Sequence, residues 1–223
     1  MRVKLHMGDW AGVIAEGAKI VSGTAPNFSS PIGGWKLTAT PDGPFANNTS
    51  TESVFSIKND ATDNSGVNGA LAQMMGDPAL GARGLLRVSP VIWSDADWKC
   101  TDLRRTTLWR TAGAPVNAVY SLKYRDYATT SDATPQIRYA EVLLTLAEAQ
   151  ARNSATVSTT ALDLLNAVRN RSVTTVLDQY TILSFATKND LIAAILKERR
   201  IEFLGEGKRW SDIHRLSQDA TFA

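Results

Sequence analysis

From Trp10 onward the apolar or small residues fall at Trp10, Val13, Ile14, Gly17, Ala18 and Val21, the i, i+3, i+4, i+7 spacing of one helical face. Asp9 stands ahead of the run as an N-cap and Gly23 behind it as a stop. With Arg2 to Met7 before the Gly8 break, residues 1–23 read as a helical hairpin. Helical spacing returns in "PQIRYAEVLLTLAEAQARNS", with Pro135 at its start and Ile137, Ala140, Leu143, Leu144 and Ala147 along its buried face. "TALDLLNAVRNRS" follows, with Thr160 and Asp163 spaced as a capping box. A last pair begins at "TKND", where Thr187 and Asp190 repeat that spacing. It runs through Ile192, Ile195, Leu196, Ile201 and Phe203, breaks at Gly205 and Gly207, and returns in "KRWSDIHRL". Trp10 and Trp210 fall on the apolar sides of their helices and are expected in the core.

Residues 24–135 have a different texture. They hold most of the prolines, the runs "FANNTSTES" and "NDATDNSGVNG", and only short apolar segments. "SVFSIKN" alternates like a short strand and "VNAVYSLKYRDY" is a second candidate. Long ordered loops tend to carry binding or lid roles, so a ligand is expected here. Three regions follow: a hairpin of a repeat array over 1–23, a loop-rich ligand-binding region over 24–135, and C-terminal helical hairpins over 136–223. "RVKLHMGDWAGVI" lines up with "RIEFLGEGKRWSDI" as Arg, apolar residues, a Gly-containing turn, Trp and then Val or Ile. Such helix pairs bury their faces by stacking, as in tetratricopeptide arrays of about 34 residues per unit. The expected fold is mainly α, with tetratricopeptide-like hairpins and a loop-rich insert containing short strands.

Composition narrows the function. A chain of 223 residues buries a sizeable core without covalent staples, and its lone Cys100 excludes an internal disulfide framework. The 24 basic and 22 acidic residues leave a net charge of +2, spread without a basic tract, so the footprint of a nucleic-acid binder is missing. No stretch reaches about 18 consecutive apolar residues, and "MRVKLHMGDW" lacks the layout of a signal peptide. Both ends read as the middle of helical elements, so the chain is expected to be a piece of a longer protein.

The densest charge lies in "ERRIEFLGEGKRW", Glu198 to Trp210. Its Gly-x-Gly-Lys is no phosphate loop, which needs four residues between the glycines, a Ser or Thr after the lysine, and a preceding strand. A glycosidase pair drawn from Glu198, Glu202 and Glu206 is disfavoured, because neighbouring arginines hold carboxylates ionised and a general acid needs the opposite shift. The reading that remains is structural: Glu198, Arg199, Arg200, Glu202 and Arg209 as an ion network between hairpins, with Arg200→Ala and Glu202→Ala expected to impair folding. No catalytic residue, cofactor or metal is expected: His6 and His214 are isolated, and Asp60 and Asp63 do not follow calcium-loop spacing. Asn-x-Ser/Thr matches at Asn27, Asn47 and Asn48 are too short to carry weight.

Taken in order, "QIRYAEVLLTLAEAQARNS", "ALDLLNAVRNRS" and "LIAAILKERRIEFLGEGKRWSDIHRL" resemble the carboxy-terminal part of SusD/RagB-type proteins, the glycan-capture lipoproteins of the Bacteroidetes outer membrane. "LHMGDWAGVIAEGAKIVSG" is similar to the last array helix pair of that family, and "DLRRTTLW" to the Asp-x-Arg element preceding its "KYRDY"-like segment. The resemblance implies a non-enzymatic protein on the extracellular face of the outer membrane, held by a lipid anchor lying outside this chain. It also implies a SusC-like TonB-dependent transporter as partner and an oligosaccharide or starch-like polysaccharide as ligand.

Sugar rings pack their C–H faces on indoles and need polar partners for their hydroxyls. Trp35, Trp93, Trp98 and Trp109 lie in the loop-rich region, and "VIWSDADWKCTD" sets two of them beside Asp95 and Asp97. Trp93 and Trp98, then Trp35, are the expected ligand contacts, with Asn64 and Asn68 as polar partners; the competing role for any such tryptophan is to plug the core. Two other classes stay open: a secreted all-α glycoside hydrolase using loop carboxylates such as Asp95 and Asp102, and a helical-repeat interaction scaffold.

Overall fold

The computed structural model describes residues 1–46, 49–114 and 117–222, so Asn47 and Asn48 lie outside the described residues. Helix α1 (Arg2–His6) and helix α2 (Trp10–Ile20) form the first hairpin, with Gly8 turning between them at φ +69. Asp9 caps α2 by accepting from the Gly12 amide at 2.8 Å. The C-cap is Val21, and Gly23 serves the turn beyond it at φ +91. Four short strands follow: β1 (Ser53–Ile57), β2 (Trp109–Ala112), β3 (Ala118–Ser121) and β4 (Thr134–Arg138). β1 pairs antiparallel with β4 through an irregular register that sets Ser53 opposite Arg138, while β2 and β3 form an antiparallel hairpin. Short helical turns at Gly43–Ala46, Gly66–Gly69, Leu71–Met75, Pro90–Trp93 and Arg104–Thr107 punctuate the loop-rich region, and the longer helices after it are α3 (Tyr139–Asn153), α4 (Thr159–Arg169), α5 (Lys188–Glu202) and α6 (Lys208–Leu216).

α3 is the axis of the molecule. It packs against α2, α4 and α5, so nearly every residue from Tyr139 to Ala149 is buried, including the polar Glu141, Thr145 and Glu148. Leu143, Leu144 and Ala147 are fully enclosed, as their spacing predicts, and burial of each leucine contributes about 1.5–3 kcal/mol. α2 can approach because position 17 has no side chain: a Cβ on Gly17 would lie 2.6 Å from Leu146 Cδ1. The Thr187–Asp190 capping box forms at the start of α5 as its spacing predicts.

Three local expectations change. Residues 135–138, read as the first turn of α3, fall in β4 instead, because pairing with β1 satisfies their backbone groups and Ile137 favours a strand. α4 is capped by Ser158, which accepts from the Ala161 amide, two residues earlier than the expected Thr160. Trp210, expected in the core, is 70% exposed. α6 turns Asp212, Arg215 and Leu216 inward to meet charged groups on α3 and α5, and that choice sends Trp210 and Ile213 outward.

A second, smaller core of Ile92, Trp98, Leu108, Trp109, Val119 and Ile201 lies under the loop-rich region and joins it to α5. Among the described residues no helix is long and apolar enough to cross a membrane.

Candidate functional site

Between the helical frame and the loops lies a closed cluster of charge. Glu198 and Glu202, one turn apart on α5, are each 1% exposed, and Glu206 follows in the turn made by Gly205 and Gly207. Arg104 donates through Nη1 to Glu198 and Glu202 while its Nε and Nη2 fork onto Asp102. The i, i+2 spacing lets Asp102 also accept from the Arg104 amide at 2.9 Å. Arg138, at the end of β4, reaches Glu52, Glu202 and Glu206. Glu52 is delivered by strand register, since it directly precedes β1 and its carbonyl accepts from the Tyr139 amide at 2.8 Å. Arg169 and Arg171, from the end of α4, bind Glu198 and the Glu52–Glu202 pair. Lys123, just past β3, donates to the Glu202 carbonyl and to Glu206. Phe45 and Phe203 close the cluster, each with its ring within 5.3 Å of the Arg138 guanidinium carbon.

Five carboxylates (Glu52, Asp102, Glu198, Glu202, Glu206) thus meet five cations (Arg104, Lys123, Arg138, Arg169, Arg171) out of water. Burial alone would raise the Glu202 carboxyl, but Arg171, Arg138, Arg104 and Lys123 overcome it and hold it well below the usual range. Glu206 is lowered in the same way, against burial, by Arg138 and Lys123. Held ionised in this way, Glu202 and Glu206 are poor proton donors. The chemistry of the cluster is cohesion: removing one partner of a buried pair leaves an uncompensated charge.

The expected network of Glu198, Arg199, Arg200, Glu202 and Arg209 is divided by this geometry. Glu198 and Glu202 enter the cluster. Arg199 enters a second one, pairing with Asp212 at 3.2 Å and donating to Thr145, with Arg215 linking Asp212 to Glu148. Arg200 and Arg209 stand outside both, without an ion pair or hydrogen bond among the described residues. Helical geometry is the reason: Arg200 lies two residues, about 200°, beyond Glu198 and points away from it.

Two concave surfaces flank the clusters. A polar cavity of about 600 Å³ lies between the end of α4 and the 26–39 loop, lined by Phe28, Lys36, Leu37, Asn166, Asn170 and Arg171 among others. The buried Asn166 Oδ1, Asn170 Oδ1 and Arg171 Nε in its wall have no hydrogen-bond partner. A groove of about 360 Å³ lies on the other side, over Trp109, Val119 and Phe203, with Arg87, Arg200, Arg209 and Trp210 around it.

The expected ligand residues are dispersed. Trp98 is 1% exposed and belongs to the smaller core, while Trp93, half-buried, meets it edge to face with ring centroids 5.1 Å apart. Arg105 stacks on both indoles and donates to the carbonyls of residues 93, 98 and 99. Trp35 is half-buried on the loop that lines the polar cavity, and Trp109 is 2% exposed under the groove. Asn64 is committed to its own loop, donating to the Asp60 carbonyl and accepting from Gly66 and Thr130. Asn68 accepts from Arg83. Sequence reasoning missed Asn166 and Asn170, whose i, i+4 spacing on α4 and its cap was the available signal. It also missed the cations of the cluster, although each lies in a segment that carried the family resemblance: "DLRRTTLW", "KYRDY", "QIRYAEV" and "AVRNRS". No grouping of His, Cys, Asp and Glu fit to hold a metal occurs among the described residues.

The SusD family model matches residues 98–222, the span that supplies all of the cluster except Glu52. Among solved structures the chain is similar to a SusD superfamily protein from Bacteroides fragilis, at 29% identity and TM-score 0.77, covering 96% of this chain and 45% of the other. It also shares its fold with surface glycan-binding protein A from Bacteroides uniformis (20% identity, TM-score 0.69, 99% and 48% covered) and from Bacteroides thetaiotaomicron (18%, 0.69, 99% and 53%). This chain therefore spans about half the length of these relatives. No curated protein sequence matches it. With its shared fold, its matched C-terminal segments and the charge cluster those segments build, the chain belongs to the SusD family.

Proposed function

We propose that the chain is part of a non-catalytic surface protein that captures oligosaccharides. The reading is carried by the polar cavity. The cavity is lined by the side chains of Asn166, Asn170, Arg171 and Lys36, residue types that suit sugar hydroxyls, and by Phe28 and Leu37, which offer apolar contact. Trp35 and Trp93 keep indole surface for a longer glycan, Trp98 supports Trp93 from below, and Asn64 and Asn68 order the 60–68 loop through their hydrogen bonds.

Supporting the non-catalytic reading, both loop carboxylates considered for hydrolysis are engaged: Asp102 by the buried Arg104 and Asp95 by Lys197. Family membership extends the proposal to delivery of the glycan to a SusC-like TonB-dependent transporter for nutrient import. The location is then the extracellular face of the outer membrane. Affinity electrophoresis across polysaccharides, followed by calorimetry with the best oligosaccharide, tests the reading. Asn170→Ala should weaken binding about fivefold, the equivalent of one hydrogen bond of about 1 kcal/mol. Release of reducing ends from the ligand, or full affinity in Asn170→Ala and Trp93→Ala together, would overturn it.

A further inference from the structure

The groove opposite the polar cavity combines features that the capture reading leaves unused. Its floor is apolar, made by Trp109, Val119 and Phe203, and at about 360 Å³ it lies near the lower end of the range of small-molecule sites, about 300–1,000 Å³. Trp210 stands beside it with 70% of its surface exposed, its ring held against His214 at a centroid distance of 4.5 Å. Arg87, Arg200 and Arg209 line the same groove, and none of the three has a carboxylate within ion-pair reach among the described residues. Arg87 and Arg209 are exposed and Arg200 half-buried, so their guanidinium groups, unlike those of the buried arginines, are open to a ligand. Partial desolvation, then the nearby Arg200 charge, pull the Arg209 guanidinium below its ordinary value against the opposing pull of Asp212, so two like charges are held near each other. An anion entering the groove relieves that repulsion, and guanidinium forks match a carboxylate in geometry as well as charge.

We propose that this groove is a subsite for a carboxylate-bearing sugar residue, with its ring lying on Trp210 and its acid group taken by Arg200 and Arg209. An acidic pyranose brings a C–H face for the indole and an anion for the guanidinium pair in one ring, whereas an acidic peptide brings the anion without the stacking face. The sugar part rests on the capture reading above; the charge part rests on the groove alone.

Calorimetry of the chain with tetragalacturonate, its fully methyl-esterified form and a neutral tetrasaccharide separates the two. The acid should bind about tenfold or more tightly than the ester, with affinity falling as salt rises. Arg200→Gln with Arg209→Gln should abolish that preference, and Trp210→Ala should weaken acid and ester alike. All three positions face outward, so melting curves should stay unchanged. Equal affinity for acid and ester, an acid preference untouched in the double variant, or tetraglutamate binding as tightly as the acid sugar would each overturn the inference. In those cases binding of the neutral sugar, sensitive to Asn170→Ala, would leave the capture reading standing; absence of binding to every sugar would remove both.

Discussion

One helix, α5, carries two kinds of arginine chemistry. The side with Glu198, Arg199 and Glu202 is sealed into paired networks, while Arg200 lies toward a groove and makes no ion pair among the described residues, acting on Asp95 only at longer range. Both sides come from "ERRIE", so composition does not separate them. Burial does. A charge removed from water is held only if its partners are present, which fixes the position of every element that supplies one. A charge at a groove wall keeps its hydration, does little for folding and stays available to a ligand. The closed side therefore predicts large effects on stability, and the open side predicts effects on binding.

The strongest way to break this contrast is at Glu202, which Arg104, Arg138 and Arg171 all contact. Glu202→Ala leaves three buried guanidinium groups short of an acceptor and should cost about 3–5 kcal/mol or prevent folding. Thermal or urea melts check this. A loss below about 1 kcal/mol would mean that water reaches the cluster and that it is no clasp.

Acid titration sharpens the same point. Burial opposes ionisation of Glu202, Glu206 and Asp212, yet their cationic neighbours hold all three native carboxyls below their ordinary values, 4.5 for glutamate and 3.8 for aspartate. A group depressed in the native state binds its proton more readily when unfolded. Its contribution is complete above the unfolded value and is lost as pH falls through the native one. The melting temperature should therefore hold steady from pH 7 to about 5 and fall steeply below about 4.5. A Glu202→Gln variant, if it folds, should show a shallower acid limb. A midpoint dropping already between pH 7 and 6 would mean that these carboxylates do not set the acid limit.

What the sequence made legible follows the range of the interactions involved. The helical hairpins were readable because their signals are local: the apolar spacing of α3, Asp9 ahead of α2, and Thr187 with Asp190 ahead of α5. β4 was not, because residues 134–138 become a strand only through β1, far away in the chain. Three of the five carboxylates were visible as acids crowded into one stretch; Glu52, Asp102 and the cations were scattered over others, and nothing local says that Arg104, Lys123, Arg138 and Arg171 converge. Trp210 was misplaced for a related reason. Its helix turns inward the residues that can reach Arg199 and Glu148, so ion pairing overrides the hydrophobic pattern. The tryptophans of "VIWSDADW" were visible as a pair, but which was sealed and which half-open depended on Arg105 stacking across both.

The finest test compares adjacent positions. Arg199→Ala removes the partner of Asp212 and the donor to Thr145, both buried, and should cost about 2–4 kcal/mol. Arg200→Ala removes a side chain without a hydrogen bond or ion pair, and its effect should stay within about 0.5 kcal/mol, contrary to the folding defect expected from the sequence. Parallel urea melts of the two variants measure the difference, which the direction of the side chains alone should create. If Arg200→Ala is as destabilising as Arg199→Ala, the groove arginines are structural after all, and the division of α5 into a closed and an open side fails at the residue that defines it.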